Sequence, residues 1–297
     1  MLDRRKFLGA GAGVMAAAAV PVRLDAVLTA PAPKRRGRIK QGLWKTVFGE
    51  KTPLSFDEMC RLAVHLDVKG FDLIGPEDWP VLKKYGLIPL MVDSHAITFE
   101  DGIIHAELHD KIEANVRPWI KRCADNGVHT LALLGGQKRG MDPERALDNA
   151  VAFANRVKAE LEDAGLIAAI ENVSDRNPTP GYGRPDQIFG PFAWGVEFCK
   201  RVNSPNVRLL CDVYHLQMQD GDLARTITEN IDLIAHIHVS GAPTRNEIDD
   251  TQEVNYRYIA ETIAATGYDG YVSHEWRPGP SRDPLQSITQ ALEIMDA

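Results

Sequence analysis

Four shortages narrow what this sequence can encode. Basic residues are outnumbered: 34 Lys and Arg stand against 41 Asp and Glu, a formal charge of -7. That leaves no broad positive surface for phosphates, so nucleic acid is not an expected partner and a small-molecule substrate fits better. Cysteine is sparse. Cys60, Cys123, Cys199 and Cys211 include no close pair, so their spacing describes neither a disulfide framework nor a zinc site, and they read as small core residues. Long apolar runs are scarce too. The stretch from Gly9 to Val20 is weakly apolar and rich in Gly and Ala. It is shorter than the roughly 20 strongly apolar residues a bilayer-spanning helix needs, so no stable membrane anchor is expected. Finally, no Gly-x-Gly-x-x-Gly follows the first predicted strand, which counts against a doubly wound, dinucleotide-binding sheet, the runner-up architecture.

What is present begins with Arg4-Arg5 and Phe7-Leu8 ahead of that Gly/Ala run. This pattern resembles a twin-arginine export signal. Residues 1–32 are therefore expected to be the signal and cleavage region, residues 33–40 a Pro/Arg linker, and 41–297 a single folded domain in a periplasmic or other extracytoplasmic location.

From there short apolar runs alternate with amphipathic segments. Strands are predicted at 42–48, 70–74, 88–93, 129–134, 166–171, 207–213, 235–239 and 270–275. Helices are predicted after Ser55, whose spacing to Glu58 is that of a capping box, and from Asp142-Pro143 to Glu162, with a cap followed by a first-turn proline. Others are expected at 81–85, 108–125, 192–202, 222–232, 255–266 and 283–295. Eight strands alternating with helices, each strand a nearly continuous apolar run, predict an α/β protein of the (β/α)₈ TIM barrel class.

In such a barrel, chemistry sits at the carboxyl ends of strands. The run "LLCDVYHLQ" ends in Asp212 with His215 three residues on; "AIENVS" ends in Glu171, "AHIHVSG" carries His236 and His238, and "SHEWRP" carries Glu275. Any one carboxylate here could be a helix cap, and any one histidine a satisfied core residue. Together they differ. Neighbouring strands lie about 4.8 Å apart, so three anions on adjacent strand ends repel unless a cation lies among them. Three carboxylates and one imidazole suit one divalent ion, Mg²⁺ or Mn²⁺ ahead of Zn²⁺ or Co²⁺. His238 is favoured as the ligand, with His236 one layer deeper as packing or support, and His274 is expected to face away from the site. Trp44 and Trp276 are equally suited to walling a pocket or packing the core; His95 and Lys138 read as exposed loop residues ahead of ligand contacts, and Arg277 as a rim ion pair ahead of a substrate contact.

The blocks "CDVYHLQMQDGDL", "IAHIHVSGAPTRNEIDDTQEVNYRYI" and "GYDGYVSHEWRP", with the Asn255-Tyr256 pair, resemble the hydroxypyruvate isomerase branch of the xylose isomerase-like TIM barrels. The resemblance implies a divalent metal held by Glu171, Asp212, His238 and Glu275, proton exchange by Glu171 and Glu275, and substrate oxygens held by His215 and Arg245. His238 stands where hydroxypyruvate isomerases carry glutamine and is similar to the ketose epimerases; Asn172 stands where the isomerases tend to have proline.

The expected activity is isomerisation or epimerisation of a small keto-acid or keto-sugar through an enediolate. That needs a base, a second proton carrier and positive charge beside the oxygen. The alternatives are a keto-sugar lyase or dehydratase using the same base, a non-catalytic sugar-binding barrel and an abasic-site endonuclease. A homo-oligomer stays open.

Overall fold

The computed structural model describes residues 23–176 and 184–297. The Arg4-Arg5 motif and its apolar run, and part of the predicted pocket loop from Ser174 to Gly190, lie outside the described residues. Among the described residues, nine strands form one all-parallel sheet: β1 (Lys40–Trp44), β2 (Gly70–Asp72), β3 (Ile88–Pro89), β4 (Met91–Asp93), β5 (Thr130–Leu133), β6 (Ile167–Glu171), β7 (Val207–Asp212), β8 (Ile234–Val239) and β9 (Tyr271–His274). Their order is β3-β2-β1-β9-β8-β7-β6-β5-β4.

β3 and β4 are two halves of one stave parted at Leu90. Pro89 has no N–H for the ladder. Leu90 N–H donates to Phe71 O (2.9 Å) while Pro89 O accepts from His129 N–H (3.1 Å), so the broken stave links the β2 edge to the start of β5. The result is a nearly closed barrel, the predicted (β/α)₈ class.

The described helices are α1 (Leu24–Thr29), α2 (Phe56–His65), α3 (Trp79–Lys84), α4 (His109–Asp125), α5 (Pro143–Ala164), α6 (Phe192–Val202), α7 (Val213–Gln219), α8 (Leu223–Asn230), α9 (Tyr256–Ala265) and α10 (Pro284–Ile294). Their start signals act as predicted. Ser55 Oγ accepts from Glu58 N–H while Glu58 Oε2 accepts from Ser55 N–H at 2.8 Å. Asp142 Oδ1 accepts from Glu144 and Arg145 N–H, and Pro143 loses no bond as the first residue of α5. None of these helices is long and apolar enough to cross a membrane.

Two differences from expectation turn predicted strand into helix. The first strand ends at Trp44, and residues 45–48 coil into a 3₁₀ turn that buries Val47 and Phe48; apolar content alone does not separate a buried strand from a buried turn. Residue 213, predicted as strand, opens α7, a helix the periodicity did not indicate. Residues 36–38, expected as linker, are pinned to the barrel: Arg36 N–H donates to both carboxylate oxygens of Asp296 (2.9 and 3.0 Å), and Arg36 and Arg38 pair with Glu261.

The main apolar core lies between strands and helices, and a smaller cluster of Met91, Ala169 and Leu210 fills part of the lumen. All four cysteines are buried and free. Gly70 admits no side chain, because a Cβ there would lie 1.9 Å from Ile88 O on the neighbouring strand. The lumen is otherwise occupied by an unusually polar set at its upper end, which is where the chemistry gathers.

Candidate functional site

Glu171 ends β6, Asp212 ends β7, His238 lies on β8 and Glu275 follows β9. One donor atom from each lies within 4.8 Å of the other three. Strand register accounts for this: Asp212 pairs with His238, which in turn pairs with Ser273, and Glu275 projects to the same side as Ser273 two residues on. The four predicted ligand positions are thus brought together; Glu171 and Glu275 line a cleft of about 420 Å³, and Asp212 and His238 are buried beside them.

The carboxylate of Asp212 does two things. Oδ1 accepts from His215 N–H (3.0 Å) and caps α7. Oδ2 accepts from Arg245 Nη2 (2.8 Å) on the side of the cluster. Cap and site group are therefore the same side chain. Asn172 braces it: the Asn172 Oδ1 accepts from Asp212 N–H (2.7 Å) and its Nδ2 donates to Asp212 O (3.1 Å), a buried pair that ties the end of β7 to β6. The expectation took Asn172 only as a departure from the family pattern; here it stitches two site-bearing strands.

His238 is almost completely buried. Its Nε2 lies 2.9 Å from Asp72 Oδ2, and the same oxygen lies 2.8 Å from His236 Nε2. His238 Nδ1 lies 2.9 Å from Glu275 Oε2 yet is not aligned for a hydrogen bond. This places His236 as support for His238, as expected, and adds Asp72, which the strand-end reading passed over. Asp72 also ends a strand, in "GFDLI", so the rule applied to the last four strands would have found it.

Arg245 comes from the loop after β8. Its Nη2 donates to Asp212 Oδ2 (2.8 Å) and Glu275 Oε2 (2.6 Å), and its guanidinium packs over Tyr214 at 4.8 Å. Predicted as a substrate contact, it lines the cleft and also cross-links two of the clustered carboxylates. Asn255 caps α9, and the Tyr256 hydroxyl donates to Ser240 O, anchoring the loop that carries Arg245. The Asn-Tyr pair therefore works through the scaffold.

Electrostatics divide the two glutamates. Burial raises the Glu171 pKa, and Glu275 and Asp212 push it further up. Burial also works to raise Glu275, but Arg245 and His238 overcome it and hold that carboxyl below the usual range. Burial disfavours a charged His238, yet the carboxylates of Glu275 and Asp72 reverse this and raise its pKa. Three carboxylates this close cannot all ionise without added positive charge.

His215 lines the cleft, and its Nδ1 accepts from Ser174 N–H (3.2 Å), so in the neutral ring the proton resides on Nε2. Burial pushes its pKa down to about 3, against Asp212 and with help from Arg245. It is a neutral N–H donor at ordinary pH.

The weaker candidates separate cleanly. Trp44 and Arg277 line the cleft, with Arg277 stacked on Trp44 at 5.0 Å and 3.5 Å from Glu50. Trp276 does not wall it: the ring is buried in the core and its Nε1 donates to His274 Nδ1 (3.3 Å). His274, turned away as expected, bonds Gln41 at 2.9 Å. His95 is exposed beside Asp93, and Lys138 pairs with Asp175 at 3.0 Å; neither lines the cleft.

Comparison with known proteins agrees with this fold. A family described as xylose isomerase-like TIM barrel matches residues 81–297. The chain is similar to a 2-oxo-tetronate isomerase of Cupriavidus necator, 35% identical over 134 residues covering 44% of this chain and 46% of that protein. It is also similar to the hydroxypyruvate isomerase of Escherichia coli, 36% identical over 96 residues covering 32% and 34% of the two chains. These matches span less than half the length of those relatives. Among solved structures, an AP endonuclease, family 2, from Brucella melitensis aligns with a TM-score of 0.72 at 22% identity, over 84% of this chain and 96% of that one. The 3-keto-D-glucoside 4-epimerase of Escherichia coli aligns at 0.69 with 17% identity, over 86% and 98%, and both likenesses speak to fold alone. With the family match covering most of the barrel, the chain belongs to the xylose isomerase-like TIM barrel family.

Proposed function

We propose that this barrel is a divalent-metal-dependent isomerase or epimerase of a small keto-acid or keto-sugar. One observation carries the reading: three carboxylates and an imidazole from four consecutive staves converge within 4.8 Å beside the cleft. The donor set fits an ion. His238 Nδ1 is buried with no hydrogen-bond partner and lies next to the carboxylates, as a ligand lone pair would. Oxygen predominates, which suits Mg²⁺ or Mn²⁺ over softer metals, although a solved relative of similar fold, the IOLI protein, binds zinc. Among the described residues the only groups able to hold a metal are this one and a trio sharing His238, which favours a single ion over the multi-metal site of a nuclease. The acidic balance points the same way.

A bound ion would supply positive charge next to the substrate oxygen on which negative charge develops. The chain does the rest. Glu171 and Glu275, from β6 and the end of β9, flank the cluster and move protons to and from the substrate carbons. The His215 N–H and the Arg245 guanidinium hold substrate oxygens. The matched 2-oxo-tetronate and hydroxypyruvate isomerases support a keto-acid or keto-sugar substrate class.

The test is incubation of Mn²⁺-loaded protein with a panel of keto-acids and ketoses in D₂O. Deuterium is expected beside the carbonyl of at least one compound, with product mass otherwise unchanged, and chelation should stop it. Loss of water from the product would replace isomerisation by dehydration; no incorporation across the panel would sink the reading. Export is proposed on Arg4-Arg5, Phe7-Leu8 and the Gly/Ala run that follows them. Replacing both by lysine should leave the protein in the cytoplasmic fraction, and unchanged export would exclude a twin-arginine route.

A further inference from the structure

We propose that Asp72 is a positioning residue for the metal centre: its Oδ2 accepts the Nε2–H of both His236 and His238, and so holds His238 in the tautomer that turns the Nδ1 lone pair toward Glu171, Asp212 and Glu275. This rests on the metal-site reading above. The three side chains are exposed by 2% or less. Between β2 and β8 stand β1 and β9, so the contact crosses the lumen. The intervening strands are small where they adjoin: a Cβ on Gly42 would lie 2.3 Å from Ser273 Oγ.

The trio Asp72, His236 and His238 could itself be taken for a second metal site. Its geometry argues otherwise. Both nitrogens lie at hydrogen-bond distance from one oxygen, 2.8 and 2.9 Å, so Asp72 Oδ2 is already engaged by two ring N–H donors. The rings meet edge to face at 89° with centroids 5.2 Å apart, a favourable aromatic contact. As packing the trio is a poor solution. Asp72 Oδ1 and His236 Nδ1 are left buried without partners, a cost that an apolar trio would avoid. What the arrangement accomplishes is to fix which nitrogen of His238 faces the carboxylates, the task that carboxylates behind histidine ligands perform in metal sites.

The experiment uses the full chain with ¹⁵N-labelled histidine. In the wild type, titration with Zn²⁺ is expected to move the Nδ1 resonance of His238 while Nε2 remains protonated; a shift at Nε2 instead overturns the proposal without any variant. In Asp72→Asn the amide can donate to Nε2, so the proton should move to Nδ1. The Mn²⁺ dissociation constant should then rise about 10- to 100-fold, with the thermal midpoint of the metal-free protein shifted far less than loss of fold requires. His236→Gln keeps the Asp72–His238 bond and is expected to weaken Mn²⁺ binding less than Asp72→Asn. Unchanged affinity and an unchanged His238 tautomer in Asp72→Asn would refute the role of Asp72 while leaving the metal site intact. A wild type that takes up neither ion overturns the site reading, and this inference with it.

Discussion

Glu275→Gln is expected to lower deuterium incorporation by about 10²- to 10⁴-fold, the range that removal of a general acid or base produces. The carboxylate is buried, held ionised by Arg245 at 2.6 Å and by His238, and set beside the cleft. Glutamine keeps the shape and one acceptor oxygen but cannot take a proton. Because the same residue is a proposed metal ligand, bound Mn²⁺ must be measured alongside. A variant that keeps its ion and exchanges within threefold of the wild type removes Glu275 from the proton path. Glu171→Gln, on the other side of the cluster, is the matching comparison, and the two should not rescue each other.

The second large effect is at Asp212, where two substitutions separate two functions of one side chain. Asparagine caps helices as well as aspartate does, so Asp212→Asn should keep the bond from His215 N–H and preserve α7. It loses the charge that faces Arg245 and the cluster. Mn²⁺ affinity is expected to fall by about two orders of magnitude or more, as for a lost ligand with an outer-shell partner disturbed as well. Asp212→Ala loses the charge and the cap. Since both variants forfeit the Arg245 pair, the difference between their urea-unfolding free energies isolates the cap, at about 1 kcal/mol. An Asp212→Asn protein that binds Mn²⁺ like the wild type would make Asp212 a helix cap and nothing more.

The barrel was legible in the chain because a parallel strand buried on both faces must be an apolar run, and eight such runs alternate with capped amphipathic helices. Glu171, Asp212, His238 and Glu275 were legible for a related reason. A charge that ends an apolar run has few ways to avoid the core except by lying at the barrel mouth. Asp72 carried the same mark but was passed over, since its meaning depends on histidines 164 and 166 residues away. Asn172 was legible only as a departure from a pattern. Its two hydrogen bonds to the backbone of Asp212, 40 residues on, come from strand adjacency. Trp276, equally suited by sequence to the pocket or the core, is placed in the core by the structure although it is next in sequence to Glu275.

Local sequence therefore determined the elements, their caps and which strand ends carry ionisable groups, since each follows from periodicity and from chemistry within a few residues. Only the closed sheet decided which of those groups meet. Register set Asp212 against His238, the lumen let Asp72 reach both histidines, and the loop after β8 delivered Arg245 between two carboxylates. Such contacts depend on the shear and closure of the whole barrel, a global property that no short stretch of sequence contains.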